Sequence, residues 1–136
     1  MAVGVRTLQI NHKLYCQRIH WISGAGGAFA DTPIEHNIRG RILCVDTVPG
    51  SVALGGVVPA INYDIEFLTN DTGAVFDIMG AALIDRHDVN TERVLPILGI
   101  VPYHPVVRQG IILSMANITN AGATGDIYIY FEREGG

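Results

Sequence analysis

The sequence predicts an all-β protein, a jelly-roll-like antiparallel β-sandwich of about eight strands. Its 136 residues include 17 Ile, 13 Val and 8 Thr, which pack well on a pleated sheet and are stiff in helices. The 16 Gly and 6 Pro cluster between apolar runs, where turns need them. No window of a dozen residues shows the 3.6-residue periodicity of an amphipathic helix. Together these observations indicate short strands joined by turns.

Strands are expected where apolar and polar residues alternate or where a short run is evenly apolar. In chain order, after the N-terminal segment, the predicted strands are 15–22, 40–47, 61–68, 74–86, 91–101, 109–118 and 125–133. In three of these runs the alternation is regular. It places Tyr63, Ile65 and Phe67 on the inner face of one strand. It groups Tyr15, Ile19 and Trp21 on one face of a second strand, and Ile127, Ile129 and Phe131 on one face of a third.

The segments between these runs are rich in Gly, Pro, Asn and Asp, as turns require. The segment 48–60 is long and uncharged, and we expect it to cross between two sheets, as Greek keys and jelly rolls need. No linker or internal repeat is evident, so residues 1–136 are predicted to form one domain. Residues 1–12 are either a first strand or an arm that reaches a neighbouring protein. The apolar residues of that arm, its candidate interface, are Val3, Val5, Leu8 and Ile10.

The composition argues against several partners. The net charge is −4 and no basic patch stands out, so nucleic acid is not an expected partner. No run is apolar for 18 residues, and the N-terminus lacks the pattern of a signal peptide, so we expect no membrane span and assembly in a cytoplasm. The basic residues are eight Arg and only Lys13; subunit contacts, which favour Arg, are one explanation and codon bias is another. Cys16 and Cys44 are expected as two buried thiols rather than a disulfide.

The segment "NDTGAV" (70–75) spells the signature of aspartic proteases at Asp71-Thr72-Gly73-Ala74. That reaction needs two aspartates sharing one proton, which a dimer could supply. The context differs from that family, because Thr69 and Asn70 stand where two apolar residues normally precede the Asp. We therefore interpret the segment as the tip of a hairpin, in which Gly73 takes positive φ and Asp71 is exposed. Asp71→Asn is then expected to be nearly silent.

Other motifs also favour structural interpretations. "DRHDVN" (85–90) could hold a weak cation but is more typical of a polar turn, and no His pairs with another His or Cys at a zinc-like spacing. "SGAGGAFA" (23–30) lacks the Lys of a phosphate-binding loop and is predicted to be a flexible surface loop. Trp21, Tyr128 and Tyr130 could bind a glycan, although packing is the simpler role. We expect no catalytic residue, no metal and no cofactor.

One long stretch resembles a pattern found in small virion proteins of tailed phages. In that pattern a strand with Asn-Tyr-Asp-Ile leads into an acidic turn, and a second strand carries Asp, small residues and Arg. The matching positions are Asn62, Tyr63, Asp64, Ile65, Asp71, Gly73, Asp77, Gly80, Ala81 and Arg86. The later run "GIILSMANITNAGATGDIYIYF" (110–131) also fits, with a strand, a Gly-rich turn and a closing strand. The proteins it resembles are capsid cement, or decoration, proteins with a jelly-roll fold.

The resemblance implies a structural protein of a virion rather than an enzyme. The expected partners are a major capsid protein and further copies of the chain, as a homodimer or homotrimer. The expected location is the capsid exterior, after assembly in the host cytoplasm. A jelly roll of the tail, neck or fibre is an alternative, and a carbohydrate-binding β-sandwich is another.

Overall fold

The computed structural model describes residues 1–34, 38–50, 56–69, 76–108 and 110–133. Within these ranges the secondary structure is twelve strands and one short 3₁₀ turn, Ala25–Gly27. The strands are β1 (Ala2–Gln9), β2 (Leu14–Ile22), β3 (Thr32–Pro33), β4 (Gly40–Pro49), β5 (Asp64–Thr69), β6 (Phe76–Asp77), β7 (Glu92–Val94), β8 (Ile97–Leu98), β9 (Val101–Pro102), β10 (Val106–Val107), β11 (Ile112–Ala116) and β12 (Thr124–Arg133). No helix in these ranges is long and apolar enough to cross a membrane.

The strands form two antiparallel sheets and a separate hairpin. The larger sheet has the order β1-β2-β12-β4-β10, and β7 also pairs with β4. The smaller sheet has the order β3-β11-β5-β6, and β8 pairs with β9 alone. The all-β, antiparallel class predicted from the sequence is thus confirmed. The count exceeds the expected eight because five of the twelve strands are only two residues long.

The core lies between the inner faces of the two sheets. Eight of the nine residues that the alternation grouped on these faces lie in the core cluster, and the ninth, Tyr15, is partly buried and packs against it. Trp21 is fully buried, with its ring centroid 5.8 Å from that of Tyr63 and 6.4 Å from that of Phe29. The indole lies over Gly125, its cross-strand neighbour on β12, where a Cβ would stand 2.6 Å from the ring. Alternating side chains therefore form a sandwich core of the usual kind.

The connection from β4 to β5 leaves the larger sheet and enters the smaller one, so the predicted crossing segment is confirmed. Gly50 donates a backbone hydrogen bond to Thr124, and Thr124 donates one to Val57. These bonds tie both ends of the crossing to β12. Residues 51–55 of this segment lie outside the described residues.

The predicted strand 74–86 is wrong beyond Asp77. Strand β6 ends there and the chain turns repeatedly, with Gly80, Ala81 and Asp85 at φ of 65°, 66° and 60°. The apolar residues Ile78, Met79 and Leu83 are buried, which explains why this part of the sequence resembles a strand. Their side chains fill the core from a folded turn, because burial alone does not fix the backbone conformation.

Candidate interaction surface

The residues that carry the phage-protein pattern fasten two segments of backbone together. Asn62 donates its backbone N–H to the carbonyl of Arg86, and Arg86 donates back to Tyr63, at 3.0 and 2.8 Å. The carboxylate of Asp64 accepts from the backbone N–H of Asp85 at 2.9 Å and from the Asn117 amide at 2.6 Å. Hydrogen bonds therefore link the segment that leads into β5 to the end of the 77–86 turn. These motif residues serve the architecture.

Asp77 organises the other end of the same turn. Its Oδ1 accepts backbone hydrogen bonds from Phe67 at 3.2 Å and Met79 at 3.0 Å, while Oδ2 accepts one from Ala81 at 3.0 Å. A half-buried carboxylate with three N–H donors satisfies groups that would otherwise lack partners in a turn. Asp77 thus fixes the path of the chain between β6 and the buried Leu83.

This turn supports the β8–β9 hairpin. Ile97 donates a backbone hydrogen bond to the carbonyl of Met79 at 3.2 Å, and the Tyr103 hydroxyl donates to the carbonyl of Ile78 at 2.6 Å. A Cβ on Gly80 would overlap the carbonyl oxygen of Ile97, so only glycine permits this approach at φ of 65°. The base of the hairpin is therefore fixed to the sandwich.

The outer end of this hairpin is apolar and exposed. Leu98 is 69% exposed, Ile100 is 95% exposed and Val101 is 60% exposed, and Leu95, which precedes the hairpin by two residues, is exposed as well. We call these four residues the apolar tip. Scattered single apolar side chains on a surface are ordinary, but several together on one small element mark contact sites. Pro96 directly precedes β8 and lies inside the predicted strand 91–101, so it is the sequence signal that could have shown that 91–101 is not one strand.

Strand β1 includes most of the predicted N-terminal interface. Val3 and Val5 are half-buried against the core, whereas Leu8 and Ile10 are exposed. The segment is therefore an ordinary strand over Ala2–Gln9, antiparallel to β2 along its whole length. The role of these residues in an interface stays a prediction.

The outer face of the larger sheet carries ion pairs in cross-strand rows. The Asp126 carboxylate lies 2.9 Å from Nδ1 of His20 and accepts from Arg18 at 3.1 Å. In the next row Arg93 binds Asp46 through two hydrogen bonds of 2.7 and 2.9 Å. Those bonds, and then the charge of Asp46, raise the pKa of Arg93 further above its ordinary range. Pairs exposed to this degree contribute little to stability, but they hold the face in a defined arrangement.

Both thiols lie on this outer face and are free. Cys16 and Cys44 stand on either side of Tyr130, on strands β2 and β4. Strands two apart are separated by about 9.5 Å, too far for a disulfide. Burial is the main cause that raises the pKa of each thiol. The expectation of two unlinked thiols is confirmed, with Cys16 buried and Cys44 half-buried.

The aromatic residues proposed for glycan binding do not form an exposed platform. Trp21 is fully buried in the core, so packing, the simpler of the two roles considered for it, is confirmed, and its ring is not available to a glycan. Tyr128 and Tyr130 are half-buried on the outer face, and the Arg93 guanidinium lies 5.4 Å from the centroid of the Tyr130 ring. The glycan hypothesis loses its main anchor.

The "DRHDVN" segment is a turn organised by His87. Nδ1 of His87 accepts backbone hydrogen bonds from Val89 at 3.1 Å and Asn90 at 3.0 Å, and its own backbone N–H donates to Glu92 at 2.6 Å. A nitrogen that accepts two N–H groups has its lone pair occupied. Across the described residues, no group of three His, Cys, Asp or Glu side chains is placed to hold a metal ion.

The "SGAGGAFA" segment is a closed surface turn. Two backbone hydrogen bonds close the turn. Gly24 donates to the carbonyl of Ala28 at 2.8 Å, and Ala28 donates to the carbonyl of Ala25 at 3.2 Å. A Cβ on Gly27 would overlap the backbone of Thr119. The segment is thus packed against the 117–122 turn, whereas the sequence had suggested a flexible surface loop.

The protease-like residues Asp71 to Ala74 lie outside the described residues. The strands on either side are β5 and β6, and they pair antiparallel through Leu68 with Asp77 and Thr69 with Phe76. The segment therefore connects two antiparallel neighbours, the relation that a hairpin has. The interpretation of Asp71 as an exposed turn residue stays a prediction.

Comparisons with protein-family models, with curated proteins and with solved structures found no match to this chain.

Proposed function

We propose that this chain is a non-enzymatic structural protein of a phage virion, a cement protein that binds the outside of a capsid shell and stabilises it. Its jelly-roll connectivity is part of the same proposal. Its partners would be the major capsid protein and other copies of itself. The observation that carries the proposal is the apolar tip, Leu95, Leu98, Ile100 and Val101, exposed on a hairpin whose base is fixed to the sandwich.

The energetics of such a tip suit a cement. Covering an exposed Leu, Ile or Val side chain contributes about 1.5–3 kcal/mol. Because Ile97 and Tyr103 already hold the hairpin in place, little conformational entropy is lost on binding. Several such contacts in one oligomer reinforce one another, and a protein that binds only the assembled shell stabilises it by mass action.

The charged side chains beside this turn support a structural role. Asp77 and Asp64 accept hydrogen bonds that close turns, and Arg86 lies 3.6 Å from Glu92 while donating to the carbonyl of Ile84 at 3.0 Å. The motif that resembles phage proteins thus builds the platform of the apolar tip. The hydrogen bonds that these residues make account for the motif without a reaction.

The test is cosedimentation with capsid shells that lack this protein. Ile100→Asp should weaken binding at each contact by about tenfold or more, because a lost apolar contact of about 1.5 kcal/mol is about tenfold in affinity. The matched control is Val89→Asp, since Val89 is also apolar and 62% exposed but lies on the His87 turn. It should bind normally.

Equal binding by both variants would refute the tip as the contact. Failure of the unaltered protein to bind any shell would refute the cement role. The number of copies per virion separates the remaining structural locations, because hundreds of copies indicate the shell and a handful indicates a tail or neck.

A further inference from the structure

Strand β1 is an exposed edge of the larger sheet. It pairs along all eight of its residues with β2, and among the described strands none pairs with its other side. Natural edge strands are usually short, bulged, or protected by Lys or Pro. The sequence of β1, "AVGVRTLQ", has no Lys and no Pro, Arg6 is its single charged residue, and its register with β2 is unbroken. This edge is therefore suited to receive another strand.

The faces of β1 restrict how a second strand can pair. Val3, Val5 and Thr7 point towards the core side and are half-buried, while Gly4, Arg6 and Leu8 are exposed on the outer face. A shift of one residue would place apolar side chains of one copy beside the outer face of the other. Only registers that oppose inner residues to inner residues keep both faces continuous.

Among those registers the side chains favour one. If Arg6 opposed Arg6 of a second copy, two like charges would stand directly across from each other, which is unfavourable. If Gly4 opposed Gly4, the last residues of β1 would be left unpaired. If Val5 opposed Val5, every residue from Met1 to Gln9 would have a partner and Arg6 would face Gly4.

We propose that two copies of this chain dimerise through β1, antiparallel and with Val5 on the twofold axis, so that the larger sheets form one continuous sheet. A second copy suits this edge because antiparallel pairing of identical strands is twofold symmetric, and such isologous contacts are the commonest in oligomers. The proposal does not depend on the capsid role.

The outer face beside Gly4 has room for the arginine of the second copy. Nothing lies within 4 Å of a Cβ built on Gly4, and the surface there is a shallow depression lined by Gly4, Val5, Arg6, Arg18 and His20. His20 and Asp126 continue the cross-strand row that begins at Gly4. Arg6 of the second copy would therefore lie over Gly4, in a row that continues through His20 and Asp126 to Val48. On the core side, Val3 faces Thr7 and Val5 faces Val5, which extends the apolar contact between copies.

The experiment combines sedimentation velocity with disulfide trapping by single cysteine variants. In the proposed register, residues 5 of the two copies are directly opposed, with Cα atoms about 4.5–5.5 Å apart, within the range for a disulfide. Residues 4, or residues 6, of the two copies lie about 8 Å apart, beyond that range. Under mild oxidation Val5→Cys should form a covalent dimer, at least about tenfold more than Gly4→Cys or Arg6→Cys.

The unaltered protein is the control for its two native thiols, and circular dichroism checks that each variant keeps its β structure. A monomer in solution at high concentration would overturn the proposal, and so would a dimer that Val5→Cys fails to trap. Equal trapping at all three positions would also overturn it, since it would indicate collisions rather than one register. Trapping by Arg6→Cys or Gly4→Cys alone would assign a different register and refute this one.

Discussion

Removal of the Asp77 carboxylate should destabilise the protein measurably. That group accepts three backbone hydrogen bonds, from Phe67, Met79 and Ala81. Hydrogen bonds to charged groups contribute about 1.5–3 kcal/mol, and a side chain that accepts backbone N–H groups at a helix N-terminus, which is similarly half-exposed, contributes about 1 kcal/mol. Taking about 1 kcal/mol for each bond, Asp77→Ala should lower the free energy of unfolding by about 3 kcal/mol. A typical domain has about 5–15 kcal/mol in all.

Asp77→Asn separates hydrogen bonding from side-chain size. The amide keeps one acceptor oxygen, which can replace Oδ1 and bind Phe67 and Met79. Its NH₂ group would face the N–H of Ala81 and cannot accept from it. We therefore expect a loss of about 1 kcal/mol or somewhat more, clearly smaller than that of Asp77→Ala.

The assay is urea denaturation followed by the fluorescence of the single Trp, which is buried at position 21. Asp88→Ala is the matched control, because Asp88 is also half-buried on a turn and its contact is with the His87 ring at 3.4 Å. It should change the free energy of unfolding by less than about 0.5 kcal/mol. If Asp77→Ala matched this control, or if Asp77→Asn cost more than Asp77→Ala, the role assigned to the carboxylate would be refuted.

Other predictions concern packing, pH and the thiols. Gly125→Ala should lower the free energy of unfolding by about 1–3 kcal/mol, because its Cβ would press on the Trp21 ring. Gly4→Ala should be nearly neutral, because its Cβ meets open space. The urea midpoints of the two variants would show whether their stabilities differ. Burial, followed by repulsion from Asp77, raises the pKa of Glu66, so Glu66→Gln should stabilise the protein at neutral pH. That gain should vanish below the ordinary pKa of 4.5, where the carboxyl is protonated in both folded and unfolded states; a gain independent of pH would contradict the cause given. The two cysteine thiols should react with a maleimide at neutral pH more slowly than free cysteine, and equal rates would show that burial does not protect them.

The limits of sequence reasoning are clearest in the 74–86 segment. Its apolar residues are buried as the pattern predicts, yet the chain turns after Asp77 instead of continuing as a strand. A strand and a compact turn can bury the same side chains. The turn is stabilised by hydrogen bonds between residues distant in sequence, such as the pairing of Tyr63 with Arg86.

The apolar tip shows that an apolar run in the sequence also does not reveal which of its residues are exposed. In the sequence, Leu98, Ile100 and Val101 belong to an apolar run that predicts one strand over 91–101. Only the tertiary structure shows that they are exposed, because β8 pairs with β9 alone, outside the two sheets, while Gly80 lets the chain at Ile97 approach the 77–86 turn closely.

The sequence by itself determined the class of fold, which residues of the regular strands share a face, and the crossing between sheets. These follow from side-chain period and from the positions of turn residues, which are local properties of the chain. The tertiary structure alone decided that Trp21 is buried, that the motif residues Asp64 and Asp77 close turns, and which apolar residues face solvent. Those outcomes depend on partners brought together by folding, such as Gly125 beneath the indole and Asn117 beside Asp64.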